Sequence, residues 1–303
     1  MKVSLIIPNW NGRKLLEKNL PRVMEAAKLP ENKVAEVIVV DDGSTDKSVE
    51  YIRNTSPKVK IIENELNCGF IYSCNRGVGE ARGEIIVLLN NDVVPEKTFL
   101  KYALPHFNDP SVFSVSFCEP NWSWAKIEWK KGFIEHSPGQ KARNVHVSGW
   151  ASGGSAVFRK SIWEALGGFD PLFAPFYWED LDLSYQAWKR GYKILWEPRA
   201  VVHHRHEGTI RQFSENYVRL ISERNQLLFI WKNISNPKMI LEHKIYLGKK
   251  LLAHPGYWRP FLAALAKLPQ ILPRWFKEWK EKKVSDREIF RQFRQYGSFN
   301  NYC

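Results

Sequence analysis

The sequence predicts an α/β protein: a mostly parallel sheet flanked by helices, followed by a basic helical appendage. Three observations lead there. Over the first hundred residues, apolar runs of strand length alternate with helical segments, the order that gives parallel strands joined by right-handed crossovers. These runs empty into polar residues, most abruptly in "VLLNNDVV", where Val87–Leu89 give way to Asn90, Asn91 and Asp92. The charge is also lopsided. The 303 residues carry a net +13, and residues 232–303 hold fifteen Lys and Arg against five Asp and Glu, so ten of those charges sit in the last quarter. With 44% hydrophobic and 25% charged residues, the composition is that of a folded chain and not a disordered one.

Taken in order, Val3–Ile7 reads as the first strand and Asn9-Trp10-Asn11-Gly12 as its exit loop. Lys14–Leu29 is an amphipathic helix ended by Pro30. Val34–Val40 is the second strand, stopping at Asp41-Asp42-Gly43-Ser44, and Ser44 or Thr45 is expected to cap a short helix through Ile52. Val59–Ile62 is the third strand, Gly69–Glu80 a helix closed by Gly83, and Ile85–Leu89 the fourth strand. Beyond Asp92 the pattern is less regular. Residues 96–107 look helical, 111–117 look like a strand, and 118–147 fit either a mobile lid or a β-excursion. Ser152-Gly153-Gly154-Ser155 leads into a strand at Ala156–Phe158, and Trp178-Glu179-Asp180 opens a helix to Lys189. Ile194–Trp196 and Ala200–Val202 are two short strands, the second running into His203-His204-Arg205-His206, and Phe213–Trp231 is helical.

The parallel strands bring their carboxyl ends to one edge, so Asn9, Trp10, Asp41, Asp42 and Asn90 to Asp92 line one rim, with Asn67 able to join them. Open α/β sheets bind ligands at that edge. Neither GxGxxG nor GxxxxGK[ST] is present, which argues against dinucleotide and P-loop chemistry. A diphosphate can instead be held by a divalent cation on a carboxylate and an imidazole. Asp92 is the candidate carboxylate, and His203 or His204 the candidate nitrogen. One carboxylate in the first turn of a helix is explained by capping and the helix dipole. Glu179, Asp180 and Asp182, directly after Phe176-Tyr177-Trp178, exceed what a cap requires. An aromatic wall there would raise a carboxylate's pKa by desolvation and make it a better base.

Together, "VSLIIPNWNG", "VIVVDDGSTDKS", "NCGF", "LLNNDV", "SGGSAVFRKSIWEALGGFD" and "FYWEDLDLSYQAWKRGYKI" resemble the successive motifs of family 2 inverting glycosyltransferases, closest to the rhamnosyltransferase-like branch. The resemblance covers residues 1–232 and implies the GT-A (nucleotide-diphospho-sugar transferase) fold with its Rossmann-like sheet. It divides the chain into a catalytic domain, with a nucleotide-binding half 1–92 and an acceptor half 93–232, and the appendage 233–303. It implies that Pro8, Asn9, Trp10, Asp42, Asn67 and Asn91 border the nucleotide, Asp42 facing a pyrimidine. The family's Asp-x-Asp motif reads Asn90-Asn91-Asp92 here, so Asp92 alone is left to ligate Mg²⁺ or Mn²⁺, joined by His204 or, alternatively, His203. Asp180 stands at the general base position of the "ED" motif, and Gly153, Gly154, Trp178 and Glu179 lie beside the acceptor. The implied donor is a UDP- or dTDP-linked sugar, dTDP-rhamnose being one candidate. The implied acceptor is a glycan or lipid-linked hydroxyl in cell-surface polysaccharide synthesis. A catalytically inactive sugar-nucleotide-binding relative is the alternative.

No apolar run approaches the roughly 20 residues of a spanning helix. Lys2 is followed by only five apolar or small residues before Pro8, too few for a secretory signal, so a cytoplasmic location is expected. The four cysteines show no metal-site spacing and read as free thiols. In the appendage, Tyr257, Trp258, Trp275, Phe276 and Trp279 stand among Lys and Arg, a mixture that suits the headgroup layer of an anionic membrane. A nucleic-acid partner is not expected, because the charge lies outside the rim and no recognition module is visible.

Overall fold

The computed structural model describes residues 1–120, 122–140, 142–204 and 213–295. Arg205, His206 and Cys303 lie outside the described residues. The first half alternates as expected: β1 (Val3–Asn9), α1 (Arg13–Ala27), β2 (Val34–Asp41), α2 (Ser48–Thr55), β3 (Lys60–Glu63), α3 (Phe70–Glu80) and β4 (Ile85–Leu89). Then come β5 (Val93–Pro95), α4 (Phe99–Ala103), β6 (Val112–Cys118), β7 (Ala125–Lys130), β8 (Phe133–Pro138), β9 (His146–Val147), β10 (Ser155–Arg159), α5 (Lys160–Leu166), α6 (Glu179–Lys189) and β11 (Lys193–His204). The chain continues through α7 (Glu215–Asn233), α8 (Pro237–Ala253), α9 (Trp258–Leu265), α10 (Leu268–Glu281) and α11 (Asp286–Gln295).

The main sheet runs β3-β2-β1-β4-β10-β6-β11-β5, with β9 added on β11. β1 to β4 pair in parallel, so their exits do share one edge, while β10 inserts antiparallel between β4 and β6. The antiparallel insertion serves the site, because it brings the residues before β10, Ser152 to Gly154, to the rim where β4 leaves. Both faces of the sheet are buried. In β4, Ile85, Val87 and Leu89 join the core under α1 and α4, while Ile86 and Leu88 join the core under α3 and α5. Full burial of side chains of this size is worth about 1.5–3 kcal/mol each, which is why so apolar a strand ends where the rim begins.

Three local expectations change and one left open is decided. Ser44 and Thr45 do not cap α2; Lys47 occupies the N-cap position in a left-handed conformation without a side-chain cap, and Asp46 accepts from the Ser48 N–H at 3.1 Å. The two short strands around Pro198 are one strand, β11, whose register on β6 shifts between Glu197 and Val201. Of the two readings left open for 118–147, the β-excursion is the one observed, as the β7–β8 hairpin. The helix expected over 96–107 is only α4 followed by a 3-10 turn, Leu104–Asn108.

The appendage packs into the same core as the helices before it. Ile289, Phe290 and Phe293 of α11 are buried in the same cluster as Tyr185 of α6 and Phe229 of α7. Buried polar groups bind it too. Asp286 accepts from the Tyr185 hydroxyl at 2.9 Å and from the Ser235 and Asn236 N–H groups at 2.8 Å each, and lies 3.2 Å from Lys189 Nζ. Arg190 forks onto Glu278 at 2.8 and 3.1 Å.

Candidate active site

A cavity of about 600 Å³ opens at the carboxyl rim. On its nucleotide side the strand exits are tied by amides. Asn9 Nδ2 donates to Asp41 Oδ2 at 2.9 Å, and Asn91 Nδ2 donates to Asn9 Oδ1 at 2.9 Å, linking β1, β2 and β4. Ser44, freed from capping, accepts from the Asn11 N–H at 2.8 Å and joins the first two loops. Asp42 is buried. Its carboxylate accepts from the Cys68 and Gly69 N–H groups at 2.9 and 2.7 Å and from Asn64 Nδ2 at 2.6 Å, so it holds the loop that presents Asn67 while also lining the cavity.

The opposite wall is the entry to α6. Tyr177 and Trp178 have φ of 70° and 78°, a left-handed region that bulky residues occupy only when their surroundings compel them. Asn225 of α7 compels them here, its Nδ2 donating to the carbonyls of Phe173, Phe176 and Tyr177 at 2.7, 3.0 and 2.9 Å. The chain then enters α6 with Glu179 and Asp180 facing the cavity. Asp180 accepts from the Leu181 N–H at 2.8 Å and from the Gly153 N–H at 3.3 Å. A Cβ on Gly154 would stand 2.3 Å from Asn90 Nδ2, so a glycine is needed for this close approach to the end of β4.

Burial raises the Asp180 carboxyl above its ordinary range against the pull of these N–H groups. Glu179 is pushed up to about 8, first by burial and then by the charge of Asp180, and its Oε2 has no hydrogen-bond partner among the described residues. Of the two neighbouring carboxyls, Asp180 keeps N–H donors on its oxygens while Glu179 Oε2 has none, an asymmetry that favours a proton acceptor beside a neutral donor.

The third cluster comes from β11. Its last residues pair antiparallel with β5, placing His204 opposite Val93 and His203 opposite Val94. Strand alternation sends the two rings to opposite sides. His203 faces outward to Glu96 at 2.7 Å, whereas His204 turns its Nε2 to Asp92 Oδ1 at 3.2 Å and lines the cavity. Burial disfavours a charged His204, but Asp92 and Glu119 outweigh it and lift the imidazole to about 9.

Among the described residues no group of three or more His, Cys, Asp and Glu is arranged to hold a metal ion by itself. The pair Asp92–His204 nevertheless fits one: two ligands at about 2.1 Å from an ion and at right angles lie about 3 Å apart, close to the 3.2 Å seen. Mg²⁺ and similar ions are ordinarily completed by phosphate oxygens and water, so a two-residue protein share suffices.

Pro8, Asn9, Trp10, Asp42, Asn67, Asn91, Asp92, Gly153, Gly154, Glu179, Asp180 and His204 all line this one cavity. Trp178 does not. The left-handed turn sends its ring into the core against Phe229, with centroids 5.5 Å apart. Phe176 and Tyr177 of the aromatic run line the cavity, as does Phe70, the last residue of "NCGF"; Phe213, for which the sequence suggests no site role, lines it too.

The model of the family described as "Glycosyl transferase family 2" matches residues 4–166, more than half of the chain. The chain belongs to glycosyl transferase family 2. Among its relatives, the O-antigen chain rhamnosyltransferase RfbN of Salmonella typhimurium is 27% identical over 72% of this chain and 70% of its own length. The N-acetylgalactosaminyltransferase 7 of Drosophila melanogaster is 26% identical over 68% of this chain, which spans only 40% of that longer protein. The fold matches the crystal structure of GalNAc-T7 with UDP, GalNAc and Mn²⁺ at a TM-score of 0.64, with 20% identity over 78% of this chain and 49% of that one. It also matches S. aureus TarS 1-349 at a TM-score of 0.59, with 16% identity over 100% of this chain and 94% of that one. This family 2 protein thus has the GT-A fold expected of it.

Proposed function

We propose that this family 2 protein is an inverting glycosyltransferase that uses a pyrimidine nucleoside-diphosphate sugar, UDP- or dTDP-linked, with dTDP-rhamnose among the candidates. The observation that carries the reading is one cavity faced by both Asp180 and the Asp92–His204 pair. The acceptor hydroxyl oxygen attacks the anomeric carbon, its proton passes to Asp180, and the bond to the diphosphate oxygen breaks with its electron pair leaving on the diphosphate. Asp92 and His204 would hold a divalent cation, Mg²⁺ or Mn²⁺, which would supply positive charge beside the diphosphate. Neutral Glu179 offers a hydrogen bond to the acceptor, and the Gly153–Gly154 segment leaves room for it. The nucleotide lies along Pro8 to Trp10, Asp42, Asn67 and Asn91. In Mn²⁺, UDP or dTDP should raise the melting temperature and purine diphosphates should not; stabilisation by purines alone would overturn the pyrimidine pocket. Product made from an α-linked donor should be β-linked by NMR, and retention of configuration would rule out the single displacement.

Acceptor delivery is the second part of the proposal: a glycan or lipid-linked acceptor in surface-polysaccharide synthesis, met at the cytoplasmic face of an anionic membrane. No helix among the described residues is long and apolar enough to cross a membrane. Two helices of the appendage do carry outward apolar stripes at i, i+4, i+7: Trp258, Leu262 and Leu265 on α9, and Leu272, Phe276 and Trp279 on α10. Such stripes beside Lys267, Lys277 and Lys280 suit insertion to headgroup depth. Two of the aromatics read from the sequence face inward. Tyr257 is 3% exposed, and Trp275 donates its indole N–H to the Ile234 carbonyl at 3.0 Å. The protein should float with liposomes containing acidic lipid, and Phe276→Ser with Trp279→Ser should abolish this. Flotation independent of those side chains would place the contact elsewhere.

A further inference from the structure

We infer that Glu119 is a positioning residue that aims His204 at the metal-binding position. The inference rests on the metal role proposed for Asp92 and His204. Glu119 follows the last residue of β6 and belongs to none of the motifs that mark this site. Its Oε2 lies 3.3 Å from His204 Nδ1, and the opposite nitrogen of the same ring, Nε2, lies 3.2 Å from Asp92 Oδ1. The Glu119 carboxylate is itself anchored, because Ser155 Oγ at the start of β10 donates to its Oε1 at 2.7 Å. Three strands that meet only through the sheet order, β6, β10 and β11, are thereby joined in one row: Ser155, Glu119, His204, Asp92.

The chemistry gives that row a direction. An imidazole can offer Nε2 to a cation only if its proton is on Nδ1, and a carboxylate accepting from Nδ1 fixes both that tautomer and the plane of the ring. His204 is the last residue of β11, held on its backbone side by pairing with Val93 of β5, so the Glu119 contact is what orients its ring. A direct-ligand role for Glu119 fits the geometry less well, because the imidazole stands between its carboxylate and Asp92. A purely structural ion pair would hold the strand end but would be indifferent to which nitrogen carries the proton.

The test is Mn²⁺ binding in the presence of UDP, read from the EPR signal of free Mn²⁺, together with UDP binding in chelator. Glu119→Ala should weaken Mn²⁺ roughly 10- to 100-fold, the usual cost of losing such a partner. Glu119→Gln, whose amide oxygen can still accept from Nδ1–H, should stay within several-fold of wild type, and UDP binding in chelator should not change. Ser155→Ala should give a smaller loss in the same direction, and it serves as the readout if Glu119→Ala does not fold. Unchanged Mn²⁺ affinity in Glu119→Ala and Ser155→Ala would overturn the inference while leaving the metal role of Asp92 and His204 standing. Equal loss in Gln and Ala would make Glu119 a ligand and overturn it too. Absence of Mn²⁺ binding by the wild-type protein would remove the metal reading and this inference with it.

Discussion

Glu179 and Asp180 share one turn of buried backbone, and like charges so placed cannot ionise independently. Asp180 keeps two N–H donors, from Gly153 and Leu181, so it is the member better able to carry the negative charge. Asp180→Asn preserves the shape of the turn but cannot take a proton. Transfer should fall by about 100-fold or more, the usual worth of a general base, with nucleoside-diphosphate binding retained. Transfer within a few-fold of wild type would move the base elsewhere. Glu179 makes a separate prediction. Its folded pKa of about 8 lies above its ordinary 4.5, so the folded state retains a proton that the unfolded chain has lost. The stability contributed is full below 4.5 and is lost as pH rises through about 8. Glu179→Gln should flatten the fall of melting temperature over that interval, and an unaltered slope would mean that Glu179 is already ionised in the folded protein. These roles were partly legible in the sequence, since three carboxylates crowd one helix start. The resemblance implies Glu179 and Asp180, and packing supplies the reason Asp182 is not among them: it turns inward, accepting from Lys232 Nζ at 2.6 Å and Asn233 Nδ2 at 2.7 Å.

At the scale of the element, the turn before α6 and the end of β11 decide the site. The turn depends on one amide, Asn225, some 50 residues away in sequence, whose Nδ2 donates toward three of its carbonyls. Asn225→Ala should therefore cost roughly 2 kcal/mol or more in chemical denaturation and lower transfer as Glu179 and Asp180 lose their frame. A stability loss below about 0.5 kcal/mol, the size of an ordinary surface change, would show that the left-handed turn stands by itself. No periodicity announces such a brace, because Asn225 sits mid-helix like any other polar residue. The sequence reads as two strands at β11 for an equally physical reason: Pro198 interrupts the apolar run, and the pattern contains no sign that one strand shifts register on β6 around it. The choice between His203 and His204 follows from register on β5, which is a pairing and not a sequence feature.

For the molecule as a whole, the appendage and the catalytic half are bound by buried charge. Lys232 lies between Asp170 and Asp182 at 2.8 and 2.6 Å, and Arg274 of α10 reaches the same Asp170 at 2.8 and 3.2 Å. Burial opposes ionisation of Asp170, yet Lys232 and Arg274 bring it down to about 2. A chain truncated after Lys232 would strand Lys189 without Asp286 and strip the core of Ile289, Phe290 and Phe293. Leaving one member of a buried ion pair alone costs about 3–5 kcal/mol, so that chain should fail to give a cooperative thermal melt. A melt within a few degrees of the full chain would make 1–232 an independent domain. By itself the sequence determined the four-strand parallel half, the rim with Asn9, Asp42 and Asp92, and the polar motifs that identify the family, because those follow from local periodicity and from residues adjacent in the chain. Tertiary structure alone decided that β10 enters antiparallel, that His204 rather than His203 meets Asp92, that Trp178 is core, and that Glu119 stands behind the histidine. Each of these depends on which strands become neighbours and in what register, and strand neighbours are set by the packing of the whole sheet.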